Sequence, residues 1–140
     1  KTGKLKLKNN TFELIDLPGT YSLDAISEDE KITQNYLQQS SNNIVIVVAD
    51  ATNLKRNLLL CSQIIDTGKP VVLALNMMDL LQKSNKEINV KKLSSLLNIP
   101  VIPVNARLNK GIDVLKQALD NYHFKAAYFI KNTKFKIVKI

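Results

Sequence analysis

Three short polar clusters carry residue types able to recognise a small anionic ligand. The first is Asp16-Leu17-Pro18-Gly19. An aspartate at a strand end can hold Mg²⁺ through a water, and a glycine lets a backbone N–H approach a terminal phosphate with no Cβ in the way. The same residues also suit a type II turn, with Pro18 second and Gly19 third. The second cluster is Asn76-Met77-Met78-Asp79. A carboxylate at Asp79 can accept two hydrogen bonds at once, from the N1–H and 2-amino groups of guanine, a donor pair that adenine lacks. Asn76 can bond the base edge or tie neighbouring loops together, and Asp79 can equally cap a helix. The third cluster is Asn105-Ala106-Arg107. There the backbone N–H of the small Ala106 can donate to a guanine oxygen; a plain loop is the simpler alternative.

The elements that must position these clusters alternate in period. Leu5 and Leu7 between Lys4, Lys6 and Lys8 read as an edge strand, Asn9-Asn10 as a turn, and Thr11–Ile15 as the second strand of a hairpin. Ser27 with Glu30 forms a capping box, which predicts a helix from Glu28 to Gln39 with Ile32, Tyr36 and Leu37 inward. Ile44–Ala49, Val71–Leu75 and Val101–Val104 read as buried strands. Helical stripes lie between and after them. One runs over Leu54–Thr67 with Leu58, Cys61, Ile64 and Ile65 and stops at Gly68. The next uses Val90, Leu93, Leu96 and Leu97, and the last Ile112, Leu115, Ala118, Leu119 and Tyr122. The fold class is therefore α/β, with a mostly parallel sheet flanked by helices and ligands expected beyond the carboxyl ends of the strands. All three clusters directly follow a predicted strand, about 60 and about 30 residues apart. Together they read as a guanine-nucleotide site.

Composition narrows the classes. The chain has 140 residues, 45% hydrophobic, with 4 Gly, 4 Pro and one cysteine, Cys61. It is long enough for one buried core and excludes collagen-like and low-complexity classes. A single cysteine makes no internal disulfide, which points to a reducing compartment, and Cys61 on an apolar stripe reads as core. The longest apolar run, Ile44–Ala49, falls far short of the roughly 20 residues that span a bilayer. The net charge is +8, yet nine lysines sit in positions 1–8 and 124–140 without one acid between them. The middle is close to neutral, so no nucleic-acid partner is expected, and the basic ends read as solvated edges. His123 is the only histidine, which excludes a histidine metal cluster and reads as a surface residue.

With these elements in place, longer strings resemble a known family. Leu17-Pro18-Gly19-Thr20-Tyr21-Ser22-Leu23, Asp50-Ala51-Thr52-Asn53-Leu54 and Pro70 to Asp79 are similar to the cytosolic G domain of the bacterial ferrous iron transporter FeoB family. The three clusters resemble the third, fourth and fifth motifs of GTP-binding domains. The resemblance covers Lys1 to about Tyr122, leaving 123–140 as a basic tail without a predicted structure. It implies a P-loop GTPase-like fold that binds GTP and GDP with Mg²⁺. It also implies partners in the same full-length protein, a helical regulatory domain and a membrane permease, with the G domain at the cytoplasmic face of the bacterial inner membrane. By matching positions, Asp16, Leu17, Pro18 and Gly19 would serve the Mg²⁺ and γ-phosphate, with Asp16 reaching the metal through water. Asn76, Met77, Met78 and Asp79 would read guanine, and Asn105, Ala106 and Arg107 would close over it. Thr20 to Asp29 would be a mobile switch, and Tyr21 within it a packing residue or partner contact.

The chain departs from the family pattern at two places. Met77 stands where many GTPases have lysine, which predicts weaker affinity. Thr20 stands where many have a water-orienting glutamine, so it is a weak catalytic candidate and slow hydrolysis is expected. No side chain here qualifies as a general base. A phosphate-binding GxxxxGK[ST] loop is absent from the 140 residues. The first residue is Lys1, not Met, and in the family the loop and its strand lie upstream. A fragment without them is expected to bind GTP weakly or not at all, to leave a gap between the strands Thr11–Ile15 and Ile44–Ala49, and to be marginally stable. Two alternatives stand beside the iron-transport reading: a docking domain with a degenerate GTPase fold, and a ribosome-associated GTPase.

Overall fold

In the computed structural model the described residues are 1–40, 43–127 and 136–140, with 122–127 and 136–138 described in backbone alone. The chain starts in a hairpin. Strand β1 (Thr2–Lys6) pairs antiparallel with β2 (Thr11–Asp16), closed by a Leu7 N–H bond to the Asn10 carbonyl at 2.7 Å. The Asn9 and Asn10 amides donate to the two carboxylate oxygens of Asp120 at 3.1 and 2.8 Å, so the turn is docked on the last helix.

Strands β3 (Asn43–Asp50), β4 (Val71–Asn76) and β5 (Val101–Pro103) follow in parallel register. Their β-branched runs are covered on both faces because strand side chains alternate. Val45, Val47, Ala49, Val71, Leu73 and Leu75 join one buried cluster with Leu60, Cys61 and Ile64 of α2 (Leu54–Asp66). Ile44, Ile46, Val72 and Ala74 join the opposite cluster with Phe12 of β2 and Leu119 of α5 (Ile112–Ala127). Each such side chain taken out of water contributes about 1.5–3 kcal/mol, which makes this double-sided core the main fastening of the sheet.

Local signals set the helix ends. Helix α1 (Glu28–Gln39) carries the complete capping box, Ser27 Oγ accepting from Glu30 N–H and the Glu30 carboxylate accepting from Ser27 N–H. Its inward face differs from expectation: Thr33 and Leu37 are buried, while Ile32 is half exposed. Thr33 and Leu37 are four apart and share a face; Ile32 lies about 100° away from Thr33 on the helix. Helix α2 stops at Gly68, which takes a φ of +75° that a side chain would resist. Helix α3 (Met78–Lys83) and α4 (Val90–Leu97, capped by Asn89) complete the same layer. In α4, Leu96 points outward rather than into the stripe, with 74% of its surface exposed.

The expected gap is filled. A sixth strand, β6 (Lys136–Lys139), lies between β2 and β3 and runs parallel to both, giving the order β1-β2-β6-β3-β4-β5. Ile140 follows into the core beside Val47 and Val45 with 7% of its surface exposed. Its N–H donates to the Ile46 carbonyl and its carbonyl accepts from Val48 N–H, both at 2.9 Å. The segment after Tyr122 is therefore not a separate tail: α5 continues to Ala127, and the chain end supplies a central strand. The His123 side chain lies outside the described residues.

Candidate functional site

Strands β2, β6, β3, β4 and β5 all point one way, so their carboxyl ends share an edge. That edge is stepped. Lys139 pairs with Asp16 on one side and Ile46 on the other, whereas β3 runs four residues further, to Asp50, opposite Asn76 of β4. At ~3.3 Å per residue the step is about 13 Å, and three strand spacings put β2 about 14 Å across from β4.

Asp16 ends β2. Its carboxylate accepts from Lys139 Nζ at 2.9 Å, and the half-exposed pair is tightened by Leu17 N–H bonding to the Lys139 carbonyl at 3.0 Å. The Lys139 ammonium, first as hydrogen-bond donor and then as charge, holds the Asp16 carboxyl below its ordinary value. The α-amino group of Lys1 donates to the Asp16 carbonyl at 3.1 Å. Leu17 packs against the core and Pro18 is half-buried. Gly19 is exposed, and a Cβ there would meet nothing within 4 Å. The type II turn is excluded: its third position needs positive φ, and Gly68 and Gly111 are the glycines that adopt it.

The second and third clusters are brought together. Asn76 Oδ1 accepts from Ala106 N–H at 3.3 Å, so the β4 and β5 loops are tied by the asparagine side chain, as anticipated. This also occupies the Ala106 N–H that the sequence left free for a ligand. Met77 adopts φ 64°, ψ 28°, a left-handed conformation costly for a side chain with Cβ, and it ends the strand and starts α3. Asp79 is not the helix cap. Met77 holds that position, and Asp79 sits in the first turn, exposed and without a hydrogen bond or ion pair among the described residues. Met78 packs against the core. The third loop is rigid: Asn105 and Lys110 exchange backbone bonds at 2.9 and 3.0 Å, and Asn105 Oδ1 accepts from Leu108 N–H at 3.0 Å. Gly111 is required beneath it, because a Cβ would lie 2.2 Å from the Pro103 carbonyl. Arg107 is exposed at its tip.

The segment after Gly19 makes side-chain contacts with α1 and α2. Arg56 of α2 lies over the Tyr21 ring at 3.4 Å, and Gln63 accepts from Leu23 N–H at 2.7 Å while donating to Asp24 at 3.0 Å. Ser22 Oγ donates to Glu30, whose carboxyl is held low chiefly by the Ser27 N–H bond. Glu28 and Asp29, expected in the switch, belong to α1. Thr20 Oγ1 is buried without a hydrogen-bond partner among the described residues. A recess of about 320 Å³ lies beside the higher part of the edge, lined by Tyr21, Asp50, Asn53, Asn57, Asn76 and Met77 among others. It gathers two of the expected site residues, Asn76 and Met77. Asp50, Arg56 and Lys139 had no role assigned from sequence, although Asp50 belongs to the Asp50–Leu54 string that carried the resemblance.

For Mg²⁺ the donor set is one carboxylate, Asp16, and among the described residues no three His, Cys, Asp or Glu side chains cluster. That fits an ion that keeps its waters and takes its other ligands from phosphates; it does not fit a resident metal cage. Cys61 is inert core, its thiol pushed up to about 11 by burial.

The sheet order, the shared carboxyl edge and the clusters on it define a P-loop GTPase-type α/β fold, the architecture of a G domain. The profile of the family described as Ferrous iron transport protein B matches residues 1–119, and the chain belongs to that family. The Fe(2+) transporter FeoB of Escherichia coli (strain K12) is 41% identical over 126 residues, covering 87% of this chain and 16% of that protein. Its counterpart in Campylobacter jejuni is 41% identical over 118 residues, covering 84% and 19%. The chain thus spans less than a fifth of these relatives. Among solved structures, the FeoB G-domain from Methanococcus jannaschii superposes with a TM-score of 0.84 at 39% identity, covering 87% of this chain and 76% of that one. The cytosolic domain of T. maritima FeoB in GMPPNP form gives 0.83 at 36% identity, covering 95% and 52%. Among the described residues no helix is long and apolar enough to cross a membrane.

Proposed function

We propose that this chain is the base-reading portion of a GTP-binding domain that regulates ferrous iron uptake. The observation that carries the reading is the Asn76 Oδ1 bond to Ala106 N–H, which joins the β4 and β5 loops and leaves the Asp79 carboxylate exposed beside them. Asp79 accepts from the guanine N1–H and 2-amino groups, Met77 supplies apolar contact, and the Asn105–Arg107 loop closes over the base. Asp16 and Gly19, three strands across and lower on the stepped edge, serve the metal and terminal phosphate. When bound, Mg²⁺ supplies charge neutralisation of the phosphates. With no GxxxxGK[ST] loop in the 140 residues, nucleotide binding by the chain itself is weak and hydrolysis negligible. The helical regulatory domain, the permease and the cytoplasmic face of the inner membrane belong to the full-length protein of this proposal.

Titration of guanosine, adenosine and xanthosine, followed by backbone amide shifts, tests it. Guanosine is expected to move Asn76–Asp79 and Asn105–Arg107 preferentially. Asp79→Asn is expected to shift the preference towards xanthosine, because an amide donates where the carboxylate accepted. Equal shifts from all three nucleosides would refute the reading.

A further inference from the structure

We propose that Lys139 is the phosphate-binding cation of this chain, exchanging its partner from Asp16 to a bound polyphosphate. The proposal rests on the nucleotide reading above for the identity of the ligand. It rests on the structure for the geometry.

Four observations converge on Lys139. Its strand is the central one, and it ends on the edge where the first cluster stands. Its Nζ is 2.9 Å from Asp16 Oδ1, at the residue expected to serve a divalent cation. Its side chain is 49% exposed, so a ligand can reach the ammonium without unfolding anything. Its carbonyl anchors Leu17 N–H at 3.0 Å, which fixes the ammonium at the root of the Leu17–Gly19 segment, where Gly19 offers open space.

The chemistry follows from charge balance. Without ligand, the carboxylate and ammonium neutralise each other. An exposed pair of this kind is weakly held, since water screens both partners. When a polyphosphate arrives with Mg²⁺, Asp16 turns to the hydrated cation and the ammonium is released. A lysine ammonium is a compact charge with three donors, suited to phosphate oxygens. The Lys1 ammonium and α-amino group also stand near Asp16, the latter donating to its backbone carbonyl at 3.1 Å, but Lys139 is the cation bonded to the carboxylate itself. No covalent bond forms or breaks; two ion pairs replace one.

Inorganic tripolyphosphate titrated into the full 140-residue chain, with and without Mg²⁺, isolates this end of the site from base recognition. The amides of Leu17, Gly19 and Thr20 and the Asp16 carboxyl carbon report binding by NMR. Saturable millimolar shifts are expected, about tenfold weaker in Lys139→Gln and within about threefold of the parent in Lys139→Arg. Asp16→Asn frees the ammonium, so metal-free tripolyphosphate is expected to bind at least as well as to the parent while the gain from Mg²⁺ disappears. Undiminished binding in Lys139→Gln, or loss of metal-free binding in Asp16→Asn, overturns the exchange, as does a parent chain showing no saturable shift. Because Asp16→Asn leaves Lys139 and its strand intact, it decides the matter if Lys139→Gln fails to fold. A chain that binds tripolyphosphate through Lys139 yet shows no preference for guanosine would sink the nucleotide reading and leave this one standing.

Discussion

Ile140→Ala measures how firmly the chain end closes the sheet. The Ile140 side chain is 7% exposed and packs in the larger core cluster, below the edge formed by β2, β6 and β3. Alanine removes three carbons. At about 0.8 kcal/mol per buried carbon the transfer loss is about 2.4 kcal/mol, and a residual cavity adds to it unless the end relaxes. The expected cost is about 2–3 kcal/mol. Ile140→Pro additionally removes the N–H that bonds the buried Ile46 carbonyl at 2.9 Å. An acceptor stranded in that way costs a further ~1–3 kcal/mol. Against a typical domain stability of about 5–15 kcal/mol, the proline variant is expected to lose a large share of its stability. Urea unfolding followed by far-UV circular dichroism gives both values from midpoints at constant slope. A filled sheet also predicts one cooperative transition in the parent, in place of the marginal stability that a gap would impose. An Ile140→Ala cost below about 0.5 kcal/mol with unchanged slope would refute the reasoning, since β6 would then not be integral to the fold.

Three further outcomes are expected. Gly111→Ala should destabilise by at least about 2 kcal/mol, because φ is +76° and the new Cβ meets the Pro103 carbonyl at 2.2 Å; amide spectra should shift across Asn105–Lys110. The Asp16 carboxyl, lowered from 3.8 by Lys139, stabilises the fold above the unfolded value and loses that contribution as pH falls through the folded one, below about 4. Lys139→Met should bring the Asp16 titration measured by carboxyl NMR back towards 3.8, with a stability change under about 1 kcal/mol. Cys61, buried with its thiol raised to about 11, should resist a thiol reagent in the native chain and react fully in denaturant.

The elements were legible where the signal is local. The Ser27–Glu30 box placed α1 to the residue, and short continuous apolar runs located β3 and β4, because capping and strand burial are signalled within a few residues. The tie between Asn76 and the Asn105 loop was also within reach, since parallel strands with polar ends must gather those ends on one edge. The inward face of α1 was not. Thr33 competes with Ile32 only once the neighbouring surface is known, and the packed helix buries the hydroxyl-bearing residue. The turn at Gly19 failed for a related reason: Pro-Gly favours type II, but Leu17 and Leu23 are pulled into the core on either side and set another path.

From residue types and spacing alone came the α/β class, the parallel strands, the three clusters and their order along one edge. These depend on short-range preferences that neighbouring residues express wherever the chain goes. Tertiary structure alone decided which strand stands in the middle. Nothing local in Lys136–Ile140 distinguishes a central strand from an edge, and its partners lie 123 residues away in the case of Asp16 and Lys139. An open slot with two unsatisfied backbone edges and a buried apolar floor selects any strand of suitable pattern that can reach it. That long-range selection joined Lys139 to Asp16, giving the first cluster a charge partner that its own neighbours in sequence do not contain.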